Sequence, residues 1–273
     1  MNEAKPNGDV TICVVHYRTP ELIRLCLRSI RKYTPPPYEM VVVDNDSQDE
    51  SLEYLRSLGW IRLIERKEPA NDSSGGYAHG AALDLALQEC QTEFFVSLHS
   101  DTLVHRQGWL ELLLEPFRDE PKMACVGGGK AELEPVWRKI LKKATDYKTF
   151  IRKVMRTPDP LGVHRYYNRT VCCAYRTEIL KRENLSFLME RDKGLTVGKK
   201  LYFELVDRGY QTVELPDSVL GRYVYHLAHA TQVVNAEQFN LRLKERRKIN
   251  CRLKKIVKSE RLRAVLFDDN LDR

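Results

Sequence analysis

Phe94-Phe95-Val96-Ser97-Leu98-His99-Ser100-Asp101-Thr102 is an apolar run that closes in a small polar cluster with one acid. Its length and composition are those of a buried strand. The acid then falls at the strand's carboxyl edge, where open α/β sheets hold their ligands. Alone, the same residues also describe a strand and a polar turn, because Ser and Asp are common turn formers.

The residues before this stretch repeat its pattern. Val10–Val15 is β-branched and apolar and reads as a buried parallel strand. His16-Tyr17-Arg18-Thr19-Pro20 follows as a turn, with Thr19 as N-cap and Pro20 at the first helical position. Leu22, Ile23, Leu25, Cys26, Leu27 and Ile30 supply a helical apolar face that Pro35-Pro36-Pro37 ends. Met40–Val43 is a second strand and runs into Asp44-Asn45-Asp46-Ser47-Gln48-Asp49, a cluster able to accept from base N–H groups or ribose hydroxyls, or to serve as turn and N-cap. Trp60–Ile64 reads as a third strand. Asn71–Gly80 is a small-residue loop opening the helix Ala81–Cys90, where paired glycines allow close backbone approach to an anion. Residues 10–98 thus read β-α-β-α-β-α-β, which implies a mostly parallel sheet flanked by helices. In such a sheet the polar clusters at His16, Asp44–Asp49 and His99–Asp101 line one edge.

Composition narrows the class. The chain has 273 residues, 42% hydrophobic and 30% charged, the balance of a globular α/β protein. No apolar run approaches bilayer length, and Met1–Asp9 lacks the apolar core of a signal peptide, so a cytoplasmic location is expected. Seven Cys without a C-x-x-C pair read as reduced core thiols. The net charge of +7 concentrates in Arg138–Arg156 and Arg242–Arg263. Such blocks suit phosphates or acidic lipid, or form solvated helix faces. No RNA-binding signature accompanies them, which argues against nucleic acid.

Four motifs together resemble the nucleotide-sugar glycosyltransferases of family 2, which have the GT-A fold. They are Val14-Val15-His16-Tyr17-Arg18, Val42-Val43-Asp44-Asn45-Asp46-Ser47-Gln48-Asp49, Gly75-Gly76-Tyr77-Ala78-His79-Gly80-Ala81-Ala82-Leu83-Asp84 and Leu98-His99-Ser100-Asp101. The resemblance covers about residues 10–118. It implies a GT-A domain over 1–234, with a nucleotide-binding half near 10–118 and an acceptor half near 119–234, followed by a basic helical tail over 235–273. It also implies transfer of a sugar from a nucleoside diphosphate sugar to a glycan or lipid-linked acceptor, with inversion and with Mn²⁺ or Mg²⁺.

The same resemblance assigns residues. Asp44 is similar to the acid that recognises the base, with Asn45 and Asp46 beside it. His16, Tyr17, Arg18, Gly76, His79 and Ser100 fall in the donor-binding motifs. Asp101 resembles the last acid of the DxD metal motif, with His99 where the family usually has Asp. His226, five residues before Thr231, resembles the histidine that completes the metal site. The family's "ED" pair is absent: the usual spacing from Gly209-Tyr210 lands on Val197-Gly198. Asp192, and after it Glu190, are the nearest acids for the base that takes the acceptor proton. The missing pair and the basic blocks leave a second reading, a binding module that keeps the fold without turnover.

In the remainder, Val171–Tyr175, Gln211–Leu215 and Val219–Tyr225 read as strands. Asn235–Leu266 reads as one long basic helix, able to dock on the main domain, pair with a second copy or lie on acidic lipid. The acidic end Asp268–Arg273 reads as frayed.

Overall fold

The computed structural model describes residues 9–67, 75–129, 167–227, 230–235 and 259–273. The Arg138–Arg156 block, most of the expected long basic helix, Asn71–Ser74 and His229 lie outside these residues.

Among the described residues, seven strands form one sheet. They are β1 (Val10–His16), β2 (Glu39–Asn45), β3 (Arg62–Arg66), β4 (Phe94–His99), β6 (Met123–Gly128), β7 (Cys172–Arg176) and β8 (Gln211–Leu215). Their order is β3-β2-β1-β4-β7-β6-β8. All run parallel except β7, which is antiparallel to both β4 and β6. The strands on either side of β1 come from opposite directions of winding, so the switch point of the sheet lies between β1 and β4. A separate two-stranded ribbon pairs β5 (Thr102–Val104) with β9 (Val224–His226).

Alternation along β1 builds the two core layers. Ile12 and Val14 face one layer, with Ile23, Leu27 and Ile30 of α1 (Pro20–Tyr33) and Leu113 of α4 (Trp109–Leu114). Cys13 and Val15 face the other, with Leu83, Ala86 and Leu87 of α3 (Gly75–Glu89) and Leu201 of α6 (Lys199–Asp207). These are the two covered faces that the alternating pattern predicts. The six described cysteines are buried free thiols.

Several boundaries differ from the expectation. The third strand is Arg62–Arg66 rather than 60–64, because its register with β2 runs from Val41↔Arg62 to Asn45↔Arg66. Of the stretch 219–225, only Val224 and Tyr225 are in a strand. A short helix, α7 (Asp217–Leu220), starts after Pro216, turns at Gly221 and leaves β9 only the residues that pair with β5. A Cβ on Gly221 would lie 2.6 Å from the Asp217 carbonyl oxygen, so this turn requires glycine.

The acidic end is not frayed. Helix α9 (Glu260–Leu266) and a 3₁₀ turn at Asp269–Asp272 pack on α1. Val265 joins Leu22, Leu25, Leu103 and Leu227 in a third apolar cluster. Arg28 of α1, only 3% exposed, is the anchor. Its Nε donates to Asp272 Oδ1 at 2.9 Å and its Nη2 to Asp269 Oδ1 at 2.6 Å. It also donates to Asp272 Oδ2 and to the Leu266 carbonyl. Composition at 268–273 suggested a solvated end; the buried partner sits some 240 residues earlier and is invisible to local reading.

Candidate active site

The carboxyl ends of β1, β2 and β4 meet at the switch point, and the loops that leave them carry the candidate residues. His16 ends β1 and is fully buried. Its Nε2 lies 2.7 Å from Ser51 Oγ, which in turn donates to Asp49, so Nε2 is the donor of that pair. The Thr19 hydroxyl, 3.3 Å from Nδ1, donates to the remaining nitrogen. Thr19 therefore occupies the N-cap of α1 without capping it by its side chain. His16 presents no polar atom to solvent: it locks the β1 and β2 loops together rather than facing the crevice.

The Asp44 carboxylate is 1% exposed and receives Ser47 N–H at 3.0 Å and Ser47 Oγ at 2.5 Å. Burial lifts this carboxyl above its usual range, against the pull of the two Ser47 bonds. Asn45 bridges outward: its amide donates to the Ala78 carbonyl of α3 and its oxygen accepts from Arg66. Arg18 closes the pair of loops. Its N–H donates to Ser47 Oγ at 3.0 Å, its Nε to the Ser47 carbonyl at 2.9 Å, and its guanidinium lies over the Tyr17 ring. Arg18, Asp46 and Gln48 all have left-handed backbones, at φ 45°, 60° and 51°. Three such non-glycine residues in two adjoining loops are a local concentration of strain, of the kind that binding loops hold.

The second centre lies at the end of β4. Asp101, 4% exposed, lies two residues past the end of β4, in the turn that leads to β5. The β5–β9 register Thr102↔His226 brings His226 beside it, with His226 Nε2 3.1 Å from Asp101 Oδ1. His99 Nδ1 is 3.9 Å from the same oxygen. Asp101 Oδ2 accepts Ala230 N–H at 3.1 Å, where α8 (Ala230–Val234) begins. Burial pushes the Asp101 carboxyl up, but His226, His99 and the Ala230 N–H together hold it well below the usual range. Ligand atoms of His99, Asp101 and His226 lie within 4.8 Å of one another, a set able to hold a metal ion. His79, on the first turns of α3, packs edge-on against His99 at 4.7 Å between centroids, and His226 does so at 5.5 Å on the ring. Ser100 is buried in the intervening turn.

Glu190 and Asp192 are not in this cluster. They sit in a turn closed by the Glu190↔Leu195 bridge, and the Glu190 carboxylate is 2.8 Å from Lys193. Asp192 is exposed. This turn is nonetheless held to α3. Asp84 accepts from Ser186 Oγ at 2.6 Å and Phe187 N–H at 2.7 Å, and Gly76 and Gly80 leave room for Met189 and the Phe187 carbonyl. Gly198, where the family's acid pair was expected, packs on Thr170 instead.

Sequence reading missed three participants. Thr170 touches His99, Asp84 anchors the 186–189 segment, and Asn235 donates to the Arg18 carbonyl at 3.1 Å. Asp84 had a signal, an acid on a helix opened by glycines. The other two had none, because their partners lie 71 and 217 residues away.

His16 and the buried edge of His79 make the site acid-sensitive. Burial brings each imidazole down to about 4, although Asp49 beside His16 and Asp101 near His79 pull the other way. The unfolded chain takes up these protons near pH 6.5 while the folded chain does not, so stability is greatest above about 6.5 and falls as pH drops toward about 4. Each histidine contributes up to about 3 kcal/mol of this loss. The melting temperature is expected to decline through that window, before most carboxylates titrate, and His16→Gln to remove part of the slope. A flat profile from pH 6.5 to 4.5 would contradict the assignment.

Fold and site together define a doubly wound, nucleotide-type sheet with an acid-histidine cluster at its switch point. The sequence profile of Glycosyl transferase family 2 matches residues 11–183, and the chain belongs to that family. The teichoic acid poly(glycerol phosphate) polymerase of Staphylococcus epidermidis is 29% identical over 100 residues, 34% of this chain and 12% of the polymerase. Two solved structures share the fold. The mannosyltransferase PcManGT of Pyrobaculum calidifontis, in complex with GDP-Man and Mn²⁺, superposes with a TM-score of 0.56 at 21% identity over 84% of this chain and 61% of that one. S. aureus TarS 1–349 in complex with UDP gives 0.51 at 15% identity over 94% and 74%. The chain thus spans about an eighth of the curated relative and under two thirds of PcManGT.

Proposed function

We propose that the protein transfers a sugar from a nucleoside diphosphate sugar to a hydroxyl of a glycan or lipid-linked saccharide, with inversion and with a divalent metal. The convergence of His99, Asp101 and His226 at the switch point carries this reading. The names of the structural relatives, which bind GDP-Man with Mn²⁺ and UDP, support it.

Two imidazoles and one carboxylate fit a divalent cation of mixed nitrogen and oxygen preference. The set favours Mn²⁺ over Mg²⁺, which keeps oxygen ligands and water. When bound, the metal supplies positive charge to the departing diphosphate. The chain's own residues do the rest. Asp44, Asn45 and Asp46 shape the base and ribose end, with the Asp44 carboxylate held by the two bonds from Ser47. His16 holds the β1 and β2 loops in register, and Tyr17 and Arg18 wall the crevice. Gly76 and His79 put the start of α3 against the diphosphate side, and Ser100 turns the chain toward Asp101. Asp192 takes the acceptor proton. It ranks before Glu190, whose carboxylate Lys193 already occupies. Inversion follows from a single in-line displacement in which the acceptor oxygen bonds the anomeric carbon as the diphosphate oxygen leaves.

Among the described residues no helix is long and apolar enough to cross a membrane. Contact with the inner, cytoplasmic face through the basic blocks, and pairing with a second copy, belong to the proposal.

Thermal shift separates transfer chemistry from a module that only keeps the fold. A ligand bound by the folded chain alone at a hundred times its Kd adds about 2.7 kcal/mol. A rise of several degrees with one of UDP-, GDP- or dTDP-sugar is expected, larger with Mn²⁺, followed by donor hydrolysis. No shift with any of the three, with or without Mn²⁺, would sink the proposal.

A further inference from the structure

The His99 ring is stacked edge-on by His79 and His226, with interplanar angles of 77° and 79°. Stacking restrains the plane of a ring but accepts either of its two flips. The backbone supplies a group that distinguishes them. His99 N–H donates to the Val171 carbonyl at 3.1 Å, which sets residue 170 beside the end of β4. There Thr170 Oγ1 lies 3.2 Å from His99 Nε2, and Thr170 is 5% exposed. With Nε2 facing the hydroxyl, Nδ1 is the nitrogen on the Asp101 side, 3.9 Å from Oδ1.

We propose that Thr170 is a positioning residue: its hydroxyl accepts the Nε2–H of His99 and so aims the Nδ1 lone pair at the place where Asp101 and His226 would hold a divalent cation. The inference rests on the metal reading of that cluster. A metal-bound imidazole needs its second nitrogen held by an acceptor, which fixes both tautomer and orientation. Buried hydroxyls also seek partners, and this one has a ring nitrogen within reach.

The other end of Thr170 has a separate task. A Cβ on Gly198 would come within 2.8 Å of Thr170 Cγ2, so the methyl fills the space that glycine leaves. Gly198 has φ +72° and precedes α6, the helix that follows the turn of Glu190 and Asp192. One small side chain therefore touches both the proposed metal cluster and the segment expected to meet the acceptor. Its two functions divide cleanly by atom, hydroxyl for His99 and methyl for Gly198.

That division makes the test selective. Thr170→Val keeps the methyl contact and removes the hydroxyl, Thr170→Ser does the reverse, and Thr170→Ala removes both without adding bulk. Mn²⁺ binding to the metal-free full chain is measured by the loss of the free aquo-ion signal in electron paramagnetic resonance, so no turnover is needed. T170V and T170A are expected to weaken Mn²⁺ binding at least about tenfold, with T170S within about twofold of wild type. In a His99→Ala background, T170V is expected to add nothing further, a coupling that a purely structural role would not produce. Wild-type binding with T170V equally tight, or T170S as weak as T170V, overturns the assignment of Thr170. A wild-type chain that takes up no Mn²⁺ overturns the metal reading and this one with it.

Discussion

Asp101→Asn is expected to abolish Mn²⁺-dependent donor binding and to lower sugar transfer by at least about a hundredfold, roughly 2.7 kcal/mol of transition-state stabilisation. The reasoning is electrostatic. Asp101 brings the one anionic oxygen pair to a cluster whose other two members are imidazoles. Its carboxyl is held well below the usual range, because His226, His99 and the Ala230 N–H outweigh the desolvation that would raise it. It therefore stays charged throughout the working pH range. Asparagine keeps the size and can still accept from Ala230, so the fold should persist while the charge is lost. Transfer assays with Mn²⁺ titration, alongside the melting temperature without metal, separate the two effects. A variant that folds and still shows the Mn²⁺-dependent shift would remove Asp101 from the metal site.

The second large effect concerns stability. Arg28→Ala is expected to cost about 1.5–3 kcal/mol, the range for hydrogen bonds to charged groups, because the Asp269 and Asp272 side chains left behind are 89% and 23% exposed. Arg28 is 3% exposed and holds Asp272, Asp269 and the Leu266 carbonyl at once, while Tyr54 donates to Asp272 at 2.8 Å. Without the guanidinium, Asp272 keeps the Tyr54 bond and the weaker pull of Arg24, and α9 loses its hold on α1. Lysine should recover little, because a point charge cannot span a fork of three acceptors. The network is also acid-labile. Burial raises the Asp272 carboxyl, but Arg28 and Tyr54 more than offset this and leave it below the usual range. The unfolded chain then binds the proton first. The contribution is complete above the ordinary carboxylate value near 4 and is lost as pH falls through the lower folded value. Denaturant midpoints, with hydrogen exchange of residues 260–272, measure both the size and the place of the loss. Unchanged protection there in Arg28→Ala would show that the clamp is incidental.

Much of the site was legible because parallel sheets put every strand end on one edge. His16, Asp44 and His99 needed only the β-α alternation to be placed together. Asp101 needed one further step, the turn after β4. His226 was reached by its likeness to a family spacing, and the physical cause is a register, Thr102↔His226, that no local pattern encodes. The fate of His16 was not legible. A histidine at a strand end looks like a ligand until Ser51 and Thr19 are seen to take both of its nitrogens. Thr170, Asn235 and the Arg28 clamp share the same obstacle: each is half of a pair whose other half is distant in sequence, and neither half has an unusual composition of its own. Short strands failed for a related reason. β9 exists because β5 is there to pair with it, whereas its own residues looked like part of a longer run.

β7 has a bearing on how the molecule is put together. It lies between β4 and β6, both of which precede it in the chain, and runs against them. During synthesis, β4 and β6 therefore emerge with unsatisfied backbone edges facing each other, and only residues 172–176 can close the gap. A cut near residue 118 would not liberate a self-sufficient nucleotide-binding lobe, since it would leave an open seam beside His99. β7 thus ties the strands before residue 118 to those after it, and the sheet beside the His99–Asp101–His226 cluster is continuous only once β7 is in place.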